Sequence, residues 1–233
     1  MKKSTVIGIV LAILIIGVLG AVYIFSNNGN TGTSADLENK VPNEVSGDSK
    51  VLVAYFSLPE TDDPNDMTTD EENSVVVVDG EALGNTQYVA MLISDYTDGD
   101  LFRIEPVTPY TTDHDALTDQ ALEEQESDAR PEIKDPLESI DDYDVIFVGY
   151  PIWWGDMPQI LYTFLESYDF NGKTVIPFST HGGSGLAGTV ETISSKLDGA
   201  NVLDNAFTMS RNDMEEAPDE VRSWLTEINM IGE

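Results

Sequence analysis

Three short segments of this 233-residue chain combine residue types suited to holding a phosphate and a flat aromatic ligand. Gly84-Asn85-Thr86 opens a predicted helix, where unpaired backbone N–H groups and the positive end of the helix dipole favour an anion. No Lys or Arg lies in that tripeptide, so a phosphate there would rest on amides and small polar side chains. The simpler alternative is that Asn85 or Thr86 serves only as a helix cap. The second segment is Tyr150-Pro151-Ile152-Trp153-Trp154-Gly155-Asp156. Two adjacent tryptophans at the end of a strand cannot both enter one core face, so at least one should project where a flat ring could stack on it. Pro151 stiffens the segment and Gly155 lets backbone approach a ligand. The alternative is that both tryptophans cover helix ends or a dimer contact. The third segment, Thr180-His181-Gly182-Gly183-Ser184-Gly185, is dense enough in glycine for main chain to pass a ligand edge-on. His181 there suits a polar contact better than catalysis, because the sequence nominates no nucleophile and orienting acid to accompany it. His114, between Asp113 and Asp115, reads as a solvated residue rather than a metal ligand.

The elements that must position these loops alternate strand and helix. Val51–Phe56, Val145–Tyr150 and Thr174–Ser179 are short apolar runs of the kind buried on both faces of a sheet. Leu101–Glu105 and Val202–Met209 are further strand candidates. Val89, Leu92, Ile93 and Tyr96 form the stripe of an amphipathic helix, as do Leu186, Val190, Ile193 and Leu197, and Val221, Trp224, Leu225 and Ile228. A helix is also expected over Ala116–Asp128 and after Pro158. This order predicts an α/β fold with right-handed crossovers and a doubly covered parallel sheet, whose ligand sits outside the carboxyl ends of the strands at the topological switch point. The three loops follow such strand ends.

Composition narrows the function classes. The formal net charge of −32 opposes binding to nucleic acid and suits a partner with a basic docking face, or simply keeps an exposed domain soluble. Without cysteine there is no disulfide, thiolate metal site or catalytic thiol. No Gly-x-x-x-x-Gly-Lys-Ser/Thr sequence is present, which argues against a nucleotide triphosphatase. Lys2 and Lys3 precede an uncharged apolar run from Val6 to Phe25, long enough to cross a ~30 Å hydrocarbon layer. Residues 1–26 are therefore expected to form a single-pass anchor, with the acidic remainder outside the cytoplasm; secretion after cleavage near Gly20-Ala21 is the alternative. Residues 27–48, rich in Asn, Gly, Ser and Thr, read as a flexible tether, and residues 49–233 as the folded domain.

Together the three loops resemble the flavodoxin family, with the closest likeness to bacterial flavodoxin-like flavoproteins bearing Tyr-Pro-x-Trp-Trp and Thr-His-Gly-Gly-Ser-Gly loops. The resemblance implies a five-stranded parallel sheet in the order 2-1-3-4-5 with FMN at its carboxyl edge. By position it implies Ser57, Gly84, Asn85, Thr86 and Gln87 at the FMN phosphate. It implies Pro151, Ile152, Trp153, Trp154 and Gly155 on one side of the isoalloxazine ring, and Thr180, His181, Gly182, Gly183 and Gly185 along its other edge. The family carries electrons between redox partners, and some relatives are NAD(P)H:quinone-type reductases. One departure stands out. Residues 58–83 separate Ser57 from the phosphate loop, where the family runs almost directly from strand to loop. This insert, acidic over Asp62–Glu72 and then Val75-Val76-Val77-Val78-Asp79-Gly80, is expected to add an extended segment and return to the helix start, as a lid or a docking surface.

The resemblance implies an electron carrier serving partner proteins or small acceptors, which the N-terminal apolar run is expected to hold at the membrane surface. A flavin-dependent reductase and a scaffold domain that has lost FMN are the alternatives; no nicotinamide-binding fingerprint is visible. A polyanionic chain disfavours reduced FMN, by about 0.4 kcal/mol per charge at ~10 Å in a water-like medium, so a low working potential is expected.

Overall fold

The computed structural model describes residues 49–232. The chain divides into two units, Met1–Gly32 and Thr33–Glu233, and the described residues all belong to the second. The expected anchor and tether, residues 1–26 and 27–48, lie outside the described residues. Among the described residues no helix is long and apolar enough to cross a membrane.

The apolar runs become the central strands. β1 (Val51–Tyr55), β5 (Val145–Pro151) and β6 (Thr174–His181) lie side by side, with β4 (Asp100–Arg103) on the outer edge of β1. All pairings in this sheet are parallel. Its order, β4-β1-β5-β6 followed by the last strand position, is the expected 2-1-3-4-5. That last position differs from the continuous Val202–Met209 strand expected from sequence. Two short strands, β7 (Asn201–Val202) and β8 (Phe207–Ser210), pair with successive parts of β6. A turn in which the Ala206 N–H donates to the Asp204 carbonyl at 2.9 Å interrupts the ladder, after Leu203 has made a final bond to Val175.

Residues alternate strictly between two cores, as the period of two along a strand requires. Val51, Val53, Tyr55 and Phe147 face α2 (Asn85–Thr97) and α6 (Ala217–Glu227). Leu52, Ala54, Phe56, Ile146, Val148 and Tyr150 face α3 (His114–Glu126), α4 (Gln159–Ser167) and α5 (Thr189–Lys196). Burying each large apolar side chain stabilises the domain by about 1.5–3 kcal/mol relative to exposure, which is why these runs carry almost no polar residues. Gly149 of β5 lies opposite Phe178 of β6, and a Cβ there would sit 2.7 Å from Phe178 Cε1 and closer still to Cζ. The glycine makes room for the ring.

The insert forms structure of its own. α1 (Thr69–Ser74) is closed by a reciprocal cap: Thr68 N–H donates to Glu71 Oε2 at 2.7 Å, and Thr68 Oγ1 accepts from Glu71 N–H at 3.3 Å. β2 (Val75–Val78) and β3 (Glu81–Gly84) then form an antiparallel hairpin. Its two-residue turn, Asp79-Gly80, has φ of 51° and 86°, the geometry that matches strand twist and favours Asp-Gly. β3 runs straight into α2, so the excursion returns to the helix start as expected.

Candidate functional site

A cleft of about 240 Å³ opens at the carboxyl ends of β1, β5 and β6. Its floor is where β1 leaves the sheet and α2 begins. Ser57 and Asn85 both line it, although the insert separates them in sequence. Their approach is close: a Cβ on Gly84 would overlap Ser57 Oγ and lie 3.3 Å from Pro59 Cδ. The two ends of the insert therefore meet, and Ser57 keeps its place beside the helix start.

The first turn of α2 has no side-chain N-cap, unlike that of α3, where Asp113 Oδ1 accepts from Ala116 N–H at 3.0 Å. Gln87 turns back instead, its Oε1 accepting from Gly84 N–H at 3.4 Å. Asn85 Nδ2 donates to the Asn73 carbonyl at 3.0 Å, which leaves Asn85 Oδ1 buried with no hydrogen-bond partner. Such an atom costs about 1–3 kcal/mol unless a donor reaches it. Thr86 is almost fully buried, and its hydroxyl shares a 2.7 Å hydrogen bond with that of Thr180. That bond ties α2 to the end of β6.

The tryptophan loop closes one side. Trp153 N–H donates to the Asp156 carbonyl at 2.8 Å and Asp156 N–H to the Trp153 carbonyl at 3.0 Å, with Trp154 and Gly155 at φ of 50° and 75°. A bulky residue held in the left-handed region costs about 1–2 kcal/mol, the sort of strain found at binding sites. Both tryptophans line the cleft, in different ways. Trp153 packs edge-on to Phe56 and Tyr110 at 5.3 and 5.6 Å. Trp154 is 56% exposed, its indole N–H donating to the Thr118 carbonyl of α3 at 2.8 Å. Asp156 anchors the loop by accepting from Met157 N–H and Tyr162 O–H, both at 2.8 Å.

The glycine loop closes the other side. Ile152 N–H donates to the Thr180 carbonyl at 3.0 Å and so joins the two loops. At the far end, the Tyr150 hydroxyl, buried and with its pKa pushed up by that burial, donates to Thr189, whose own hydroxyl donates to the Leu186 carbonyl. His181 Nδ1 accepts from Gly183 N–H at 2.8 Å, which assigns the ring proton to Nε2. Burial lowers the His181 pKa, with Asp213 acting the other way, which favours the neutral ring that the Nδ1 acceptor bond requires. Pro151, Ile152, Thr180 and Gly182 complete this part of the lining, while Gly84, Thr86, Gln87, Gly155, Gly183 and Gly185 shape the loops without lining the cleft.

Several lining residues escaped the sequence reading: Leu58, Glu60, Asn73 and Ser74 of the insert, Leu117, Thr118 and Ala121 of α3, and Arg211 after β8. His114 also lines the cleft; its side chain stays 39% exposed, and its Nδ1 lies 3.0 and 3.2 Å from the two oxygens of Glu60. The Glu60 side chain is only 7% exposed, and its hydrogen bond raises the His114 pKa. No local pattern distinguishes Glu60 from the other 42 acidic residues among the 43 of the chain.

The family model described as flavodoxin matches residues 74–228, more than half the chain. This chain belongs to the flavodoxin family. Its fold is similar to solved structures of proteins described as proposed flavoproteins. One, from Bacteroides eggerthii, is 32% identical with a TM-score of 0.56 over 77% of this chain and 98% of that one. Another, from Bacteroides uniformis, is 29% identical with a TM-score of 0.56 over 75% and 98%. A flavoprotein of Lactobacillus acidophilus, solved in complex with FMN, is 21% identical with a TM-score of 0.48 over 74% and 98%. A search of curated proteins found no match.

Proposed function

We propose that this chain binds FMN in the cleft and carries electrons between redox partners at the outer face of a membrane. The observation that carries the cofactor reading is Asn85 Oδ1, buried without a donor beside the uncapped first turn of α2. Free amides suit a phosphate, and a lone acceptor suits a hydroxyl of the ligand's sugar-like chain or phosphate. Family membership and the two Bacteroides relatives, proposed as flavoproteins, support the same ligand.

Ser57, Asn85 and the backbone of Gly84, Thr86 and Gln87 would hold the phosphate end. Pro151, Ile152, Trp153, Trp154 and Gly155 would flank the ring on one side, with Thr180, His181, Gly182, Gly183 and Gly185 at its other edge. FMN, when bound, supplies one- or two-electron redox chemistry. The residues of the chain bind and orient it: Trp154 offers an exposed indole face, and the neutral His181 presents an Nε2–H donor. Glu60, Asn73 and Ser74 place the insert along the phosphate end, which makes it a wall of the site.

The carrier reading draws on the family and on the −32 charge, which would steer a basic partner protein to the domain. Small electron acceptors are the other class of partner. The apolar run after Lys2 and Lys3 supports the membrane location. The test is the visible spectrum of the full-length chain in detergent, with and without added FMN. Bound flavin bands with quenched fluorescence are expected, and a colourless chain that takes up no FMN would refute the reading. NADH or NADPH alone should leave the flavin oxidised. Direct oxidation of either, with reduction of a quinone, would favour the reductase instead. For location, a single cysteine introduced in the acidic domain should react with a membrane-impermeant maleimide on intact cells, and protection there would overturn an outward orientation.

A further inference from the structure

The cleft has one cationic corner. Arg211 is the only Lys or Arg among its lining residues. Most other basic side chains of the described residues are engaged. Lys50 pairs with Asp142, Arg103 with Glu105, Arg130 with Asp128 and Glu166, and Lys196 with Glu166. Lys173 donates to the carbonyls of Asp141 and Tyr143, and Arg222 lies over the Tyr96 ring at 4.4 Å. Arg211 has no carboxylate within ion-pair distance among the described residues, in a chain with 43 acidic residues.

Its position is defined. The Arg211 N–H donates to the His181 carbonyl at 2.9 Å, just beyond the register pair His181–Ser210 of β6 and β8. The guanidinium lies on Gly182: a Cβ there would be 3.1 Å from both Cζ and Nη1. A side chain at Gly182 would press on the Arg211 fork, whereas Gly183 and Gly185 have open space and positive φ. Beside the fork, His181 has its Nδ1 engaged by Gly183 N–H and so offers only a donor from Nε2. The corner presents donors and positive charge in a protein that is otherwise strongly negative.

We infer that Arg211 is a cofactor-contacting residue whose guanidinium holds the negative charge of reduced FMN and offsets the repulsion of the surrounding carboxylates. The inference rests on the FMN reading above, with the ring edge at the Thr180–Gly185 loop. Two electrons and one proton added to the neutral ring leave it with one net negative charge, supplied in the test by an electrode through a mediator. A guanidinium beside that edge stabilises the reduced form more than the oxidised one. The low potential expected from net charge alone is therefore raised locally.

The test compares full-length Arg211→Gln and Arg211→Lys with the parent in detergent. Oxidised FMN affinity is read by fluorescence quenching and the two-electron potential by spectroelectrochemical titration. Arg211→Gln should weaken reduced FMN by about tenfold and oxidised FMN by less than about threefold, which lowers the midpoint by ~15–30 mV at 29.6 mV per decade. Arg211→Lys keeps the charge and should recover at least half of that shift, and added salt should shrink the difference. A role confined to propping the Gly182 loop would weaken both redox states equally, leave the potential unchanged, and overturn the inference. Parent protein that binds no FMN overturns the cofactor reading and this one together. Parent that binds FMN, with a Gln variant of unchanged potential, overturns this one alone.

Discussion

Gly84→Ala adds one methyl group where the insert re-enters the fold. Gly84 has φ −62° and ψ 142°, open to any L residue, so the cost is steric rather than conformational. The new Cβ would overlap Ser57 Oγ and stand 3.3 Å from both Ser57 Cβ and Pro59 Cδ. Ser57 is 5% exposed and lines the cleft, so its hydroxyl escapes mainly by turning into the space assigned to the phosphate. Overpacking of this kind costs about 1–3 kcal/mol. In a domain of this size it lowers Tm by roughly 2–4 °C per kcal/mol, so a fall of about 2–12 °C is expected. FMN affinity should fall by about tenfold or more, each tenfold being ~1.4 kcal/mol. Melting by circular dichroism and an FMN quenching titration on the full-length chain measure the two effects. Ser57→Ala removes the overlapping oxygen and keeps the tolerable 3.3 Å contact, so Ser57→Ala/Gly84→Ala should regain most of the lost Tm. If Gly84→Ala melts and binds like the parent, or the double variant does no better than the single one, the proposed closure of the insert onto Ser57 is wrong.

The two histidines should titrate on opposite sides of the ordinary value near 6.5 in an NMR pH series. His114, raised by Glu60, contributes stability that is full below about pH 6.5 and is lost as pH rises through its folded pKa; Glu60→Gln should move its titration back down. His181, lowered by burial, contributes stability present above about pH 6.5 and lost as pH falls through its folded pKa, when protonation breaks the Gly183 bond; two coincident titrations would contradict both placements. Trp154→Gly loses one indole hydrogen bond and relieves a left-handed tryptophan, two effects of about 1 kcal/mol each, so Tm should move by no more than about 4 °C while FMN affinity falls at least about tenfold. Gly149→Ala drives a methyl group into the Phe178 ring between central strands and should cost about 3 kcal/mol in urea unfolding, partly recovered by Phe178→Leu; a loss below about 1 kcal/mol would show the ring moves freely.

Much of the frame was legible because local pattern and global packing agree. Val51–Tyr55, Val145–Pro151 and the Val175–Phe178 part of β6 are buried on both faces, and that environment writes itself as apolar runs. The loops that follow them were therefore readable as the place for a ligand, and Ser57, Asn85, Trp153, Trp154 and His181 do meet in one cleft. Val202–Met209 is split because a turn at Asp204–Ala206 breaks the ladder after Leu203, and Asp204-Asn205, both turn-forming residues, are the local signal of that break.

The alternation of elements, the parallel sheet and the three loops at its carboxyl edge can be read from residue order, because each follows from hydrophobic period and turn chemistry within a few residues. Which side chains the cleft acquires from elsewhere depends on how distant segments pack in space. Glu60 reaches His114 across 54 residues and the Arg211 fork settles on Gly182, one residue past the end of β6. Asn85 is left with a buried acceptor because its amide is taken by Asn73. Such pairings join chain segments through packing in space. A single polar residue carries no periodic signal of the neighbour it will meet.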